Sequence, residues 1–139
     1  MAECCGKNKA KAPGESCGCE KKETVLLYAC SGGANVAEVA DQAARQLTSQ
    51  GSGSMFCLAG IGAGIPGMIQ TARDADVNLV IDGCPMDCGK KVFDKAGLTN
   101  YVQIKVTDLG IEKVKVARAT EEQVATVVAK AKDVLAAGR

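Results

Sequence analysis

The chain has 139 residues, a formal charge of +1, two Tyr, two Phe and neither Trp nor His. It is long enough for one domain with an aliphatic core, and it lacks the basic footprint and aromatic platforms of a nucleic-acid surface. No apolar run approaches the roughly 18 residues of a membrane span. Without histidine there is no Ser/His or Cys/His catalysis and no imidazole ligand, so a soft-metal site must draw mainly on the eight cysteines, with Asp or Glu as the remaining charged ligands.

Residues 1–23 read as a polar tail rich in Lys, Glu, Gly and Ala, with no strand or helix period. They show no hydrophobic segment before a cleavage site, so no secretory signal is expected. The expected compartment is cytoplasmic, where glutathione keeps thiols reduced. The tail carries Cys4, Cys5, Cys17 and Cys19. These are incidental thiols of a disordered leader, or thiols that handle metal or sulfur.

From Thr24 the pattern is strand, loop and helix, repeated. TVLLYACS is a buried-strand run ending at Cys30, SGGANV is a glycine turn, and NVAEVADQAARQL carries Val36, Val39, Ala40, Ala43 and Leu47 on one helical stripe. GSGSMFCL is a short strand ending near Cys57, followed by the loop AGIGAGIPG and the helix GMIQTARDA. VNLVID is a third strand, leading through GCPMDC to the helix GKKVFDKAG; Pro85 suits a first helical position, with Cys84 near the N-cap and Cys88 on the first turn. YVQIKV is a fourth strand and VKVA a short extra one. Thr120 to Gln123 match a capping box that opens the last helix. This alternation predicts one α/β domain over 24–139: three layers around an open, mostly parallel, Rossmann-like sheet of about four strands, with its ligand site at the strand carboxyl ends.

Cys30, Cys57 and Cys84 follow one another at intervals of 27 residues, each where a strand gives way to its loop. In a parallel sheet those ends share one edge. Neighbouring strands lie about 4.8 Å apart and sulfurs on one zinc about 3.8 Å apart, so three loop cysteines can close on one ion, with Cys88 as the fourth. Any one of these cysteines read alone is better taken as a small buried apolar residue; the shared loop position of the set argues for a metal site. A helix N-terminus beside GCPMDC would favour thiolate. Asp82 and Asp87 are candidates for orienting the ligands. Lys90 and Lys91 read better as solvated lysines than as contributors to the site's potential.

Cys30 in YACSGGANV, Cys57 in MFCLAGIG, Cys84 in DGCP and Cys88 in PMDCGKK give the chain beyond the tail a resemblance to the DGC-domain proteins, small prokaryotic proteins named for the central Asp-Gly-Cys motif and described as zinc-binding. The resemblance implies four chelating cysteines and zinc as the ion. It implies no reaction or partner, and nothing for the tail.

Three other motifs compete. The opening VLLYACSGGANVAEVA looks like that of the low-molecular-weight phosphatases and arsenate reductases, but its loop has no arginine before Arg45 to hold a dianion. Ser31, Gly32 and Gly33 make either a tight turn or an anion nest. Gly62 to Gly67 form a GxGxxG, with Asp82 twenty residues after Gly62, as an NAD-type dinucleotide fingerprint requires; Pro66 and the lack of a substrate domain count against it. The functional expectation is therefore a zinc-binding protein, for metal handling or sensing, with Cys30, Cys57, Cys84 and Cys88 as ligands and a metal ion as partner. The alternative is a thiol–disulfide oxidoreductase or sulfur-relay protein using Cys84 and Cys88. Spacing alone leaves iron–sulfur ligation open.

Overall fold

The computed structural model describes residues 21–138. The tail cysteines Cys4, Cys5, Cys17 and Cys19 lie outside the described residues.

Four strands form one parallel sheet. Apolar runs build the two central ones, β1 (Val25–Ala29) and β3 (Val77–Asp82), which pair along their whole length from Val25 opposite Val77 to Ala29 opposite Ile81. β2 (Ser54–Met55) flanks β1, and β4 (Tyr101–Lys105) flanks β3, giving the order β2-β1-β3-β4. Side chains alternate across the sheet. Leu27, Leu79, Ile81 and Ile104 face α1 (Asn35–Ser49) and α5 (Glu121–Ala137), whereas Leu26, Tyr28 and Val80 face the side covered by α2 (Leu58–Gly62), α3 (Pro66–Asp74) and α4 (Cys88–Lys95). The result is the expected three-layer α/β domain. The capping box at the start of α5 is present in full: Thr120 Oγ1 accepts the Gln123 N–H, and the Gln123 side chain accepts the Thr120 N–H.

Three local expectations fail for physical reasons. AGIGAGIPG is not a loop: α2 begins directly after Cys57, a left-handed turn at Gly64 follows, and Pro66 opens α3. Gly62 to Gly67 thus join two helices, whereas a dinucleotide fingerprint joins a strand to a helix, so the NAD reading loses its context. Pro85 does not open a helix and Cys84 is not near its N-cap, because residues 84–87 close a turn in which the Asp87 N–H donates to the Cys84 carbonyl; the helix starts at Cys88, which stands on its first turn as expected. VKVA is not a strand: Val114 exchanges its backbone bonds with Asn35, and Val116 stands 92% exposed.

The chain leaves β1 through α1 on one face and leaves β3 through α4 on the other. That divergence makes the carboxyl ends of β1 and β3 the switch point of the sheet, the place where open α/β sheets bind ligands. Cys30 follows β1 and Cys84 lies two residues beyond β3.

Candidate functional site: a thiol cluster at the carboxyl edge

Cys30 is the first residue after β1. It continues the β1–β3 ladder by donating its N–H to the Ile81 carbonyl, and its buried sulfur accepts the Gly83 N–H at 3.1 Å. The loops after β1 and β3 are therefore joined through a sulfur. Burial pushes the Cys30 thiol up to about 11. The Gly83 hydrogen bond opposes this, and the charges of Asp82, Cys88 and Cys84 reinforce it.

The middle residue of Asp82-Gly83-Cys84 is fixed by close packing. A Cβ on Gly83 would stand 3.0 Å from the Val36 carbonyl carbon and 3.1 Å from the Ala37 nitrogen, so a side chain there would press on the backbone at the start of α1, which lies against this loop. Asp82, 1% exposed, ends β3 and turns its carboxylate to the start of α4: Oδ1 accepts the Gly89 N–H at 2.7 Å and Oδ2 the Lys90 N–H at 3.0 Å. These are N–H groups that a helix leaves without internal partners. The Gln103 side chain bridges Asp82 Oδ2 and Asp87 Oδ1, at 2.8 and 2.9 Å, and Lys105 reaches Asp87 Oδ1 at 3.1 Å. The Lys105 hydrogen bond, helped by Gln103, holds the Asp87 carboxyl below its ordinary value. Asp87 itself has a left-handed backbone, φ 53°, and its side chain does not cap the helix. Both acids thus shape the loop that presents Cys84 and Cys88.

Cys84 is half-buried, and its sulfur accepts the Lys113 ammonium at 3.4 Å. Cys88 is exposed at the first position of α4. Cys57 is also exposed; it caps α2, its sulfur accepting the Gly60 N–H at 3.3 Å. Because α2 packs on α4, Cys57 and Cys88 open neighbouring helices on the same face of the sheet. Lys90 pairs with Asp94 along the exposed side of α4 at 2.6 Å, in keeping with a solvated lysine.

All four predicted cysteines are free thiols at this edge. In the positions their side chains occupy, however, no group of three or more Cys, Asp or Glu among the described residues is arranged to hold a metal ion. The donor set suits a soft ion in chemistry; its convergence stops short of a closed site. An open cleft of about 430 Å³ adjoins Cys30, bounded by Ser31, Gly32, Gly33, Lys115 and Arg118.

Sequence reasoning missed Lys113, Gln103 and Asn35. Each acts on a residue remote in the chain; Lys113 and Gln103 lie outside the motifs, and Asn35, although within YACSGGANV, gives no local sign of its partners.

A family model described as "DGC domain" matches residues 26–131, which include the four cysteines. A curated relative, the "Anaerobic and virulence modulator AnvM" of Pseudomonas aeruginosa strain PAO1, is 33% identical over 88 residues, covering 63% of this chain and 67% of that protein. No solved structure matches the chain.

Proposed function

As the chain belongs to the DGC-domain family, we propose that it binds a thiophilic metal ion, zinc, through Cys30, Cys57, Cys84 and Cys88, and serves metal handling or sensing. The observation that carries this reading is the second layer around the sulfurs. Cys30 accepts the Gly83 N–H, Cys57 the Gly60 N–H and Cys84 the Lys113 ammonium. Donors of this kind stabilise charge on ligating sulfur and orient it. Coordination by all four requires the exposed Cys57 and Cys88 to turn from their described positions. A bound zinc would tie three loops together and leave no coordination position for water, which favours binding over hydrolysis. The reading takes a reducing compartment such as the cytosol, where the thiols stay free; among the described residues no helix is long and apolar enough to cross a membrane.

The relative's name, a modulator of anaerobic behaviour and virulence, supports a sensing role over a catalytic one. A second reading, thiol–disulfide exchange or sulfur relay through Cys84 and Cys88, is favoured by the cation beside Cys84 and the exposure of Cys88. Cobalt substitution separates the two. Metal binding predicts an intense sulfur-to-cobalt charge-transfer band and tetrahedral d–d bands, lost when Cys30, Cys57, Cys84 and Cys88 are all replaced by Ser. Redox chemistry without metal predicts no such band, and a reversible loss of two thiols on mild oxidation.

A further inference from the structure

Lys113 sits on the irregular segment between the 3₁₀ turn Val106–Leu109 and α5. The residues on either side of it are fastened to the first residue of α1. The Asn35 N–H donates to the Val114 carbonyl at 3.1 Å, its Nδ2 donates to the Glu112 carbonyl at 2.9 Å, and its Oδ1 accepts the Val114 N–H at 2.7 Å. Asn35 is only 3% exposed, so its end of these bonds is shielded from water. Both flanks of the segment are pinned as well. Thr107 donates its N–H to the Gly83 carbonyl at 3.2 Å, and Arg118 forms a two-pronged pair with Glu38. The backbone of the lysine is thus held on both sides, and its ammonium lies 3.4 Å from the Cys84 sulfur.

We propose that Cys84 and Lys113 form a reactive pair selective for small anionic electrophiles, molecules with a carboxylate or sulfonate next to a displaceable group, and that Asn35 is the positioning residue of the pair. In the reaction the Cys84 thiolate gives an electron pair to the electrophilic atom. One bond to sulfur forms, the bond to the leaving group breaks, and the leaving group departs with that bond's electrons. The Lys113 side chain, 3.4 Å from the Cys84 sulfur, attracts the anionic group of the incoming molecule and takes no part in the bond changes. The proposal rests on the reading of Cys84 as a functional thiol and is independent of metal.

The test uses two alkylating probes on the full chain after removal of metal by a chelator: anionic iodoacetate and neutral iodoacetamide. Rates are followed at Cys84 by peptide mass spectrometry. Both probes attack the same thiolate, so any change in thiolate fraction cancels in the ratio of their rates. Opposite charges about 5 Å apart in water imply a ratio that falls by about 3- to 10-fold in Lys113→Gln. It is expected to persist in Lys113→Arg, with the ratio at Cys88 unmoved. Asn35→Ala, which removes the side-chain bonds to Glu112 and Val114 and adds no charge, is expected to lower the ratio at Cys84 although the lysine remains. An unchanged ratio in Lys113→Gln overturns the pair; an unchanged ratio in Asn35→Ala overturns the positioning role. Zinc content of the same samples before chelation is a separate readout. A shifted ratio in a chain that holds no zinc sinks the metal proposal alone, and zinc with an unshifted ratio sinks this one alone.

Discussion

Asp82 and Gly89 are fitted to each other. The Asp82 Oδ1 accepts the Gly89 N–H at 2.7 Å and would lie 2.8 Å from a Cβ at that position, with the buried Val80 Cγ1 closer still. The acid of the DGC motif can therefore cap α4 from the end of β3 only because a glycine follows Cys88. Gly89→Ala is expected to destabilise the fold by about 1–3 kcal/mol through overpacking. Asp82→Ala, which strands two helix N–H groups and the Gln103 amide, should cost about 3 kcal/mol. Urea denaturation of both variants checks these values.

Tyr28 makes the opposite case. It is fully buried, stacked edge-on against Phe56 and Phe93, and its hydroxyl has no hydrogen-bond partner among the described residues. Removing an unsatisfied buried hydroxyl removes its desolvation penalty, so Tyr28→Phe should be neutral or stabilising by up to about 1 kcal/mol. A lowered denaturation midpoint would mean that the hydroxyl has a partner.

Cys30 should give a signature at high pH. Its thiol is raised from 9.0 to about 11, chiefly by burial. Folding therefore favours the protonated form, and this contribution is fully present below pH 9 and lost as the pH rises towards 11. In metal-free protein, wild type should lose stability over that range more steeply than Cys30→Ala. At pH 8, Cys30 should also alkylate more slowly than the exposed Cys88.

The Glu38–Arg118 pair should act at low pH. The Arg118 side-chain hydrogen bonds, with the Ala119 N–H, lower the Glu38 carboxyl from 4.5 to about 2. The contribution of this group is present above pH 4.5 and fades as the pH falls towards 2. Following Glu38 by NMR in Arg118→Ala should show its titration moving back towards the ordinary glutamate value; an unmoved titration would show that Arg118 does not hold it.

The sheet was legible because Val25–Ala29 and Val77–Asp82 are apolar runs with turn signals at their ends, and because each precedes a stretch of helical period. The edge on which Cys30, Cys57, Cys84 and Cys88 stand followed from that alternation alone. Local chemistry misled where a distant group overrode it. Pro85 looked like a helix start, yet Asp82 takes the N–H groups of Gly89 and Lys90, and α4 begins at Cys88. Val114 and Val116 alternate like a strand, yet Asn35, 79 residues from Val114, takes the backbone bonds. Lys113 was invisible for the same reason: its place beside Cys84 is set by that clasp and by no local pattern.

The central claim, that the four cysteines of this edge are metal ligands, is met most directly by zinc content per chain, measured by mass spectrometry on protein purified without chelator. Wild type, a variant lacking residues 1–23, and Cys84→Ser would be compared. The account predicts about one zinc per chain in the first two and its loss in Cys84→Ser. Metal that disappears with the tail and survives Cys84→Ser, or no metal in any of the three, would contradict it.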